Sequence, residues 1–202
     1  MTKRLLTSMA IATMIMLLSC SNSPEKPSFD EVITSRRSVR SYDATKSISE
    51  AEVRTLLTAA QESPSWANVE PTKYYVVMSE EKRAALLEQL GGNKRSVAGA
   101  PVLIISTFEK GKSGFHQGKQ LSGIGESWGA YDNGLSNAFL ILQARAMGFD
   151  TLIMGVGEND AIRSELGIPE NEAMMAVIAL GYRSNEPSRP KRRPLDEIVQ
   201  FY

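Results

Sequence analysis

Two stretches of this chain are apolar without a break: Val102-Leu103-Ile104-Ile105 and residues 174–180. A strand with one face in water alternates apolar and polar residues, and these runs do not. If they are strands, helices must cover both faces of their sheet. Shorter apolar runs at 74–78 and 151–154, bounded by Gly, Pro or polar residues, add two more strand candidates. The covering helices are also legible. Ser49-Glu50-Ala51-Glu52 forms a capping box ahead of Val53, Leu56, Leu57 and Ala60 at helical spacing. Ser79 opens a helix expected to run to about residue 90 before Gly91-Gly92. Leu135, Ala138, Phe139, Leu142 and Ala146 mark a third, nearly all apolar, which calls for burial at the centre or in a subunit interface. Short helices are expected at Phe29–Ser35, 159–166 and 195–200. Residues 111–134 are glycine-rich and predict a long loop of the lid or binding type. The pattern is a helix–sheet–helix sandwich.

Composition narrows the chemistry. Lys+Arg and Asp+Glu are both 23, so the chain lacks the basic excess of a nucleic-acid binder. It holds one Cys and one His, too few for an internal disulfide or a Cys/His zinc site. Nucleophile–histidine catalysis could run only through His116, in the glycine-rich loop, where an exposed histidine is the expected reading. Chemistry in such a chain falls to a cofactor.

The N-terminus reads as an address. Residues 1–4 are short and basic, and residues 5–18 are apolar but for Thr7, Ser8 and Thr13. That run is too short for a comfortable membrane span, which takes about 20 residues. It fits the apolar core of a signal peptide over residues 1–19. The ending Leu17-Leu18-Ser19-Cys20 resembles the lipobox of bacterial lipoproteins, in which the cysteine is acylated and becomes the mature N-terminus. Removal of residues 1–19 takes Lys3 and Arg4 and leaves 21 basic against 23 acidic residues. Residues 20–28 then form the lipidated Cys20 and a polar, Pro-containing tether. The working domain is expected over 29–202, on the exported side of a membrane.

Nucleotide motifs built on glycine fail. Gly118-Lys119 is followed by Gln120, with Ser113 where a P-loop needs Gly. Gly123-Ile124-Gly125 has Trp128 where a dinucleotide fingerprint needs its third Gly. Trp128 and Tyr131 are expected in packing.

The informative residues are two basic clusters. Arg36-Arg37-Ser38-Val39-Arg40-Ser41-Tyr42 sets arginines among hydroxyls, and Lys191-Arg192-Arg193 precedes Pro194. Guanidinium forks pair with phosphate in a bidentate manner, and hydroxyls add neutral donors. Brought together, the clusters would make a pocket for a phosphate dianion.

From Phe29 to the C-terminus the chain resembles the FMN-dependent nitroreductases. Arg36-Arg37-Ser38-Val39-Arg40 is similar to that family's opening R-x-S-x-[RK] motif. Pro64-Ser65-Trp66-Ala67-Asn68-Val69-Glu70-Pro71 resembles its P-S-x-x-N-x-Q-P segment. Thr151-Leu152-Ile153-Met154-Gly155 resembles the strand beneath the isoalloxazine. Ala179-Leu180-Gly181-Tyr182 and Lys191-Arg192-Arg193-Pro194-Leu195 resemble the closing strand and the phosphate-binding run. Asp132 and the helix after it resemble the central dimer helix.

The resemblance implies an α+β fold, a three-layer sandwich with a mixed, mainly antiparallel sheet flanked by helices. It implies a homodimer with FMN at the interface and a ping-pong oxidoreductase that takes electrons from NAD(P)H, or from another reduced donor on the exported side, and gives them to a nitroaromatic, a quinone or a similar small acceptor. The residues it assigns to FMN are Arg36, Arg37, Ser38, Arg40, Pro64, Ser65, Trp66, Asn68, Met154, Gly155, Lys191 and Arg193. Segment 64–71 reaches the partner's flavin. Arg40, assigned the catalytic role, suits the pyrimidine edge, where negative charge accumulates on reduction. Lys94 and Arg95 are further candidates for the flavin edge. Glu70 replaces the family's usual Gln, and Thr72 a frequent Trp. Those departures leave room for a flavin-modifying or peptide-oxidising relative, or for a non-catalytic flavin-binding lipoprotein.

Overall fold

The computed structural model describes residues 26–121, 123–155, 157 and 159–202. The expected signal peptide and Cys20 lie outside the described residues.

The central sheet has four strands: β1 (Thr72–Val77), β2 (Val102–Glu109), β5 (Asp150–Met154) and β6 (Glu172–Gly181), in the order β1-β2-β6-β5 with every neighbour antiparallel. Ser38 adds a parallel bridge to Thr151 on the outer side of β5. A small hairpin, β3 (Phe115–His116) with β4 (Lys119–Gln120), stands apart, and it leaves His116 exposed.

The unbroken apolar runs form the middle pair, β2 and β6, and their two faces feed two cores. Leu103, Ile105, Val177 and Ala179 pack with Leu86 and Leu90 around helix α3 (Glu80–Glu88), Val97 of α4 (Lys94–Val97) and Ile162 of α6 (Asp160–Leu166). Val102, Ile104, Ile178 and Leu180 pack on the other side with Val53, Leu56 and Ala60 of α2 (Glu50–Gln61) and with Leu140 and Ala144 of α5 (Ser127–Ala146). Each strand therefore alternates between two apolar layers, which is why no polar residue breaks the run. Truncating a fully buried residue such as Ile104 costs about 2–5 kcal/mol.

Helix ends follow local chemistry. Ser49 and Glu52 make the expected capping box, and Ser28 and Glu31 make a second ahead of α1 (Phe29–Ser35). Asn159 caps α6, and Gly167 ends it in the left-handed conformation. Three expectations need correction. Ser79 occupies the N-cap of α3, but its side chain makes no capping hydrogen bond, and the helix stops at Glu88. The helix expected at 195–200 is a single 3₁₀ turn, Leu195–Glu197. The third helix begins at Ser127, eight residues before Leu135, so the glycine-rich loop is shorter than expected.

That early start has a packing cause. A Cβ on Gly129 would sit 2.3 Å from a ring carbon of Phe108, so α5 lies against β2 at a distance only glycine permits. The inward face of the first turns is polar, with Asp132, Asn133, Ser136 and Asn137 all buried. Asn133 donates to the Thr107 carbonyl (2.9 Å), Asn137 to Asn133 Oδ1 (2.9 Å) and Ser136 to the Ala60 carbonyl (3.0 Å). The Tyr74 hydroxyl lies 2.8 Å from Ser136 Oγ, and burial pushes that phenol up to about 12. The apolar residues that mark the helix in the sequence face the other way: Leu135, Ala138 and Leu142 are half-buried and Phe139 is exposed, as is Tyr131, whose ring meets that of Trp128 edge-on.

Candidate functional site

Two arms of irregular chain meet at the outer edge of β5. The first follows α1. Val39 donates its N–H to the Thr151 carbonyl (3.0 Å) and buries its side chain, so Ser38 and Arg40 on either side point to solvent. Tyr42 is buried and bridges to Arg183. Its ring packs against Gly181, where a Cβ would stand 2.8 Å from Tyr42 Cδ1. The second arm leaves β6 after Gly181. The Ser184 N–H donates to the Ser41 carbonyl (3.0 Å), and the two serine hydroxyls are 2.6 Å apart.

Between the arms is a cavity of ≈ 380 Å³. Four arginines line it (Arg36, Arg37, Arg40 and Arg192), interleaved with Ser38, Ser41, Ser188 and Asn185, and no acid is among its lining residues. Among the described residues, none of the four guanidiniums has an ion-pair partner. Burial, followed by the positive charges of Arg192 and Arg37, holds Arg36 below its ordinary value. Arg37 turns one nitrogen to the Thr34 and Arg36 carbonyls at 2.7 and 2.8 Å, and its Nε is buried without a partner. Arg40 makes one long hydrogen bond, 3.4 Å to the Ser38 carbonyl. Mutually repelling cations held this close, with donors to spare, are a receptor for an anion carrying more than one charge.

The structure thus gathers Arg36, Arg37, Ser38 and Arg40 from one end of the chain with Arg192 from the other. Of the 191–193 run, Arg192 lines the cavity; Lys191 and Arg193 do not. Ser41, from the same 36–42 cluster, lines it too, while Asn185 and Ser188 join without a sequence signal, since the coil from 185 to 192 has no periodicity that would tell which side chains turn inward. Met154 is buried at the end of β5 and Gly155 is exposed just beyond it; neither lines the arginine cavity. Lys94 is paired with Glu88 at 2.5 Å, and Arg95 is exposed on α4.

Segment 64–71 lies elsewhere in the subunit. Ser65, Glu70 and Thr72 face a cavity of ≈ 430 Å³ between α2, β1 and α5, while Pro64, Asn68 and Glu70 face another of ≈ 500 Å³. Trp66 is half-buried. Ala67, Asn68 and Glu70 all take left-handed backbone, with φ of 47°, 55° and 47°. Non-glycine residues hold such angles at a cost of about 1–3 kcal/mol each, and only where neighbours dictate them. Here the neighbour is buried Asp132, whose Oδ2 accepts from the Trp66 N–H (3.0 Å) and the Ser113 hydroxyl (2.6 Å). The Glu70 N–H donates to Ser65 Oγ (3.0 Å), and Asn68 Nδ2 to Glu70 Oε1 (3.1 Å). Asp132 thus fixes the strained turn to the first turns of α5.

The family profile described as the nitroreductase family matches residues 33–182, from the α1 end through β6. The chain belongs to the nitroreductase family. The Bacillus subtilis protein YdgI, provisionally named an NAD(P)H nitroreductase, is 23% identical over 202 aligned positions, covering 86% of this chain and 97% of its own. A Thermus thermophilus protein named NADH dehydrogenase is 26% identical, with 81% of this chain and 91% of its own covered. Among solved structures, a chain from Exiguobacterium sibiricum in complex with FMN superposes with a TM-score of 0.77 at 23% identity, covering 87% of this chain and 98% of that one. At that identity the superposition speaks for the fold, which is the α+β nitroreductase sandwich.

Proposed function

We propose that this nitroreductase-family chain is an FMN-dependent oxidoreductase that passes electrons from NAD(P)H to a nitroaromatic, quinone or similar small acceptor. It works as a homodimer tethered to a membrane through Cys20. The single observation that carries the reading is the arginine cavity. Its chemistry fits FMN: uncompensated guanidiniums and three serines suit a phosphate dianion, and Arg37 keeps a buried, unpartnered N–H beside it.

Arg36 and Arg192 take the phosphate, helped by Ser38, Ser41 and Ser188. Binding of an anion there offsets the burial and the neighbouring positive charges that hold Arg36 below its ordinary value. Arg40, exposed and held only by one long hydrogen bond to the Ser38 carbonyl, would serve the pyrimidine edge of the ring. A fixed cation there favours the more negative reduced state and raises the potential. Bound FMN supplies a ring that accepts a hydride equivalent and gives up both electrons in a second, ping-pong half-reaction. Such chemistry calls for no protein nucleophile, and His116 is exposed in the β3–β4 hairpin.

The dimer is supported by the exposed apolar side chains of Tyr131 and Phe139 on α5 and of Phe29 and Ile33 on α1. It is supported too by segment 64–71, whose cavities are separate from the arginine cavity within one subunit, so a second subunit is needed to bring Pro64, Ser65, Trp66 and Asn68 to the flavin. The tether rests on the apolar run at 5–18 and on Cys20 as the only cysteine. Cys20→Ala should release the protein from membranes, and continued attachment would mean that the apolar segment itself is the anchor. The electron-transfer reading is tested by anaerobic stopped-flow mixing with NADPH and then a quinone. Two separate phases are expected, and a flavin that neither NADH nor NADPH reduces would contradict it.

A further inference from the structure

The two arms of the arginine cavity are held very differently. Residues 36–42 are fixed to the sheet through the Thr151 bridge and the buried side chains of Val39 and Tyr42. Past Ser184 the second arm has one tie before Arg192. Arg183 Nη1 donates to both carboxylate oxygens of Glu186, each at 2.7 Å. Among the described residues, no further hydrogen bond joins residues 187–192 to the rest of the chain. Pro187 and Pro190 stiffen this stretch by fixing φ, so its direction is set at its base.

That base is anchored deep. Arg183 Nε and Nη2 donate to the two oxygens of Asp150 at 2.8 and 2.5 Å, and the Asp150 side chain is 2% exposed. Arg145 approaches the same carboxylate at 3.4 Å and donates from Nε to Ser35 Oγ at 2.9 Å, at the end of α1 next to Arg36. Asp150 is thus a common reference point for both arms. The Glu186 side chain is 74% exposed, and an ordinary surface ion pair at such a site contributes little. In this one a single nitrogen of an arginine that is itself locked to Asp150 donates to both Glu186 oxygens.

We propose that Asp150, Arg183 and Glu186 form a positioning relay that aims the proline-stiffened arm so that Arg192 stands opposite Arg36. The inference rests on the reading of the arginine cavity as the phosphate end of the FMN site. It assigns to an acidic residue beside an anion site the work of strengthening anion binding. A simple field effect has the opposite sign: neutralising a nearby carboxylate should tighten an anion.

The test is titration of flavin-stripped full-length protein with FMN, riboflavin and inorganic phosphate. Glu186→Gln should weaken FMN and phosphate about tenfold and leave riboflavin affinity and melting temperature unchanged. In an Arg192→Ala background the same substitution should have no further effect, because coupled residues are non-additive. Asp150→Asn, which disturbs the buried anchor, should weaken FMN at least as much and also lower the melting temperature. Unchanged or tighter FMN binding in Glu186→Gln, or a full effect without Arg192, overturns the relay. Wild-type protein that binds riboflavin as tightly as FMN overturns the phosphate reading itself, with the relay falling as a consequence.

Discussion

Two clusters of polar groups in the molecule are treated in opposite ways. On the inner face of α5, Asp132, Asn133, Ser136 and Asn137 are buried and hydrogen-bonded to the chain around them. Around the cavity at the edge of β5, Arg36, Arg37, Arg40 and Arg192 stand together with no carboxylate among them. Polar groups that satisfy one another hold a structure in place, whereas like charges left facing one another cost stability until something binds. The seam on α5 is therefore part of the fold, and the cavity is where a ligand goes.

The contrast can be broken from either side. The largest effect should come from the seam. Asp132→Ala strands the Trp66 N–H and the Ser113 hydroxyl and frees the strained 67–70 turn, so stability should fall by about 3 kcal/mol, read from the urea midpoint. A loss under about 1 kcal/mol would mean that Asp132 does not anchor the turn. The cavity should show the reverse pattern. Arg36→Ala combined with Arg192→Ala should weaken FMN about a hundredfold by fluorescence titration, or roughly 2.7 kcal/mol, with no loss of melting temperature. A large fall in melting temperature without loss of FMN affinity would turn the cavity into a structural feature. Arg40→Ala should lower the flavin potential by about 30 mV, equivalent to roughly 1.4 kcal/mol for two electrons; an unchanged potential would remove Arg40 from the electron-transfer step. Ser188→Ala, which removes one neutral donor, should cost about 1 kcal/mol of FMN affinity or less. A greater loss would show that the hydroxyls, and not the guanidiniums, dominate.

The same contrast explains what could be read from the sequence. Strands β2 and β6 were legible because apolar packing on both faces leaves an uninterrupted run. The beginning of α5 was not. Gly129 and Gly134 are poor helix formers and Asp132 and Asn133 look like surface residues, so the stretch reads as loop. Only the close approach to Phe108 and the buried partners of the seam make it a helix. The sequence signal of the helix comes from Leu135, Phe139 and Leu142, which face away from the core of their own subunit.

The arginine segment at 36–40 was legible as a cluster of phosphate-binding residue types. Its partners were harder to read. Which member of Lys191-Arg192-Arg193 turns inward depends on the path of a coil with no repeat, and that path is set by Arg183 and Asp150, two charged residues with no motif around them. Segment 64–71 was recognisable by pattern, but its left-handed angles at Ala67, Asn68 and Glu70 follow from Asp132, far along the chain.

The central claim is that the cavity of unpaired arginines exists to hold a flavin phosphate. Its most direct test is the visible absorption spectrum of the purified protein, recorded as isolated, after addition of FMN, and again with NADPH in the absence of oxygen. The account predicts a yellow protein carrying one FMN per chain, whose flavin band bleaches on adding NADPH. A colourless protein that takes up no FMN would contradict it.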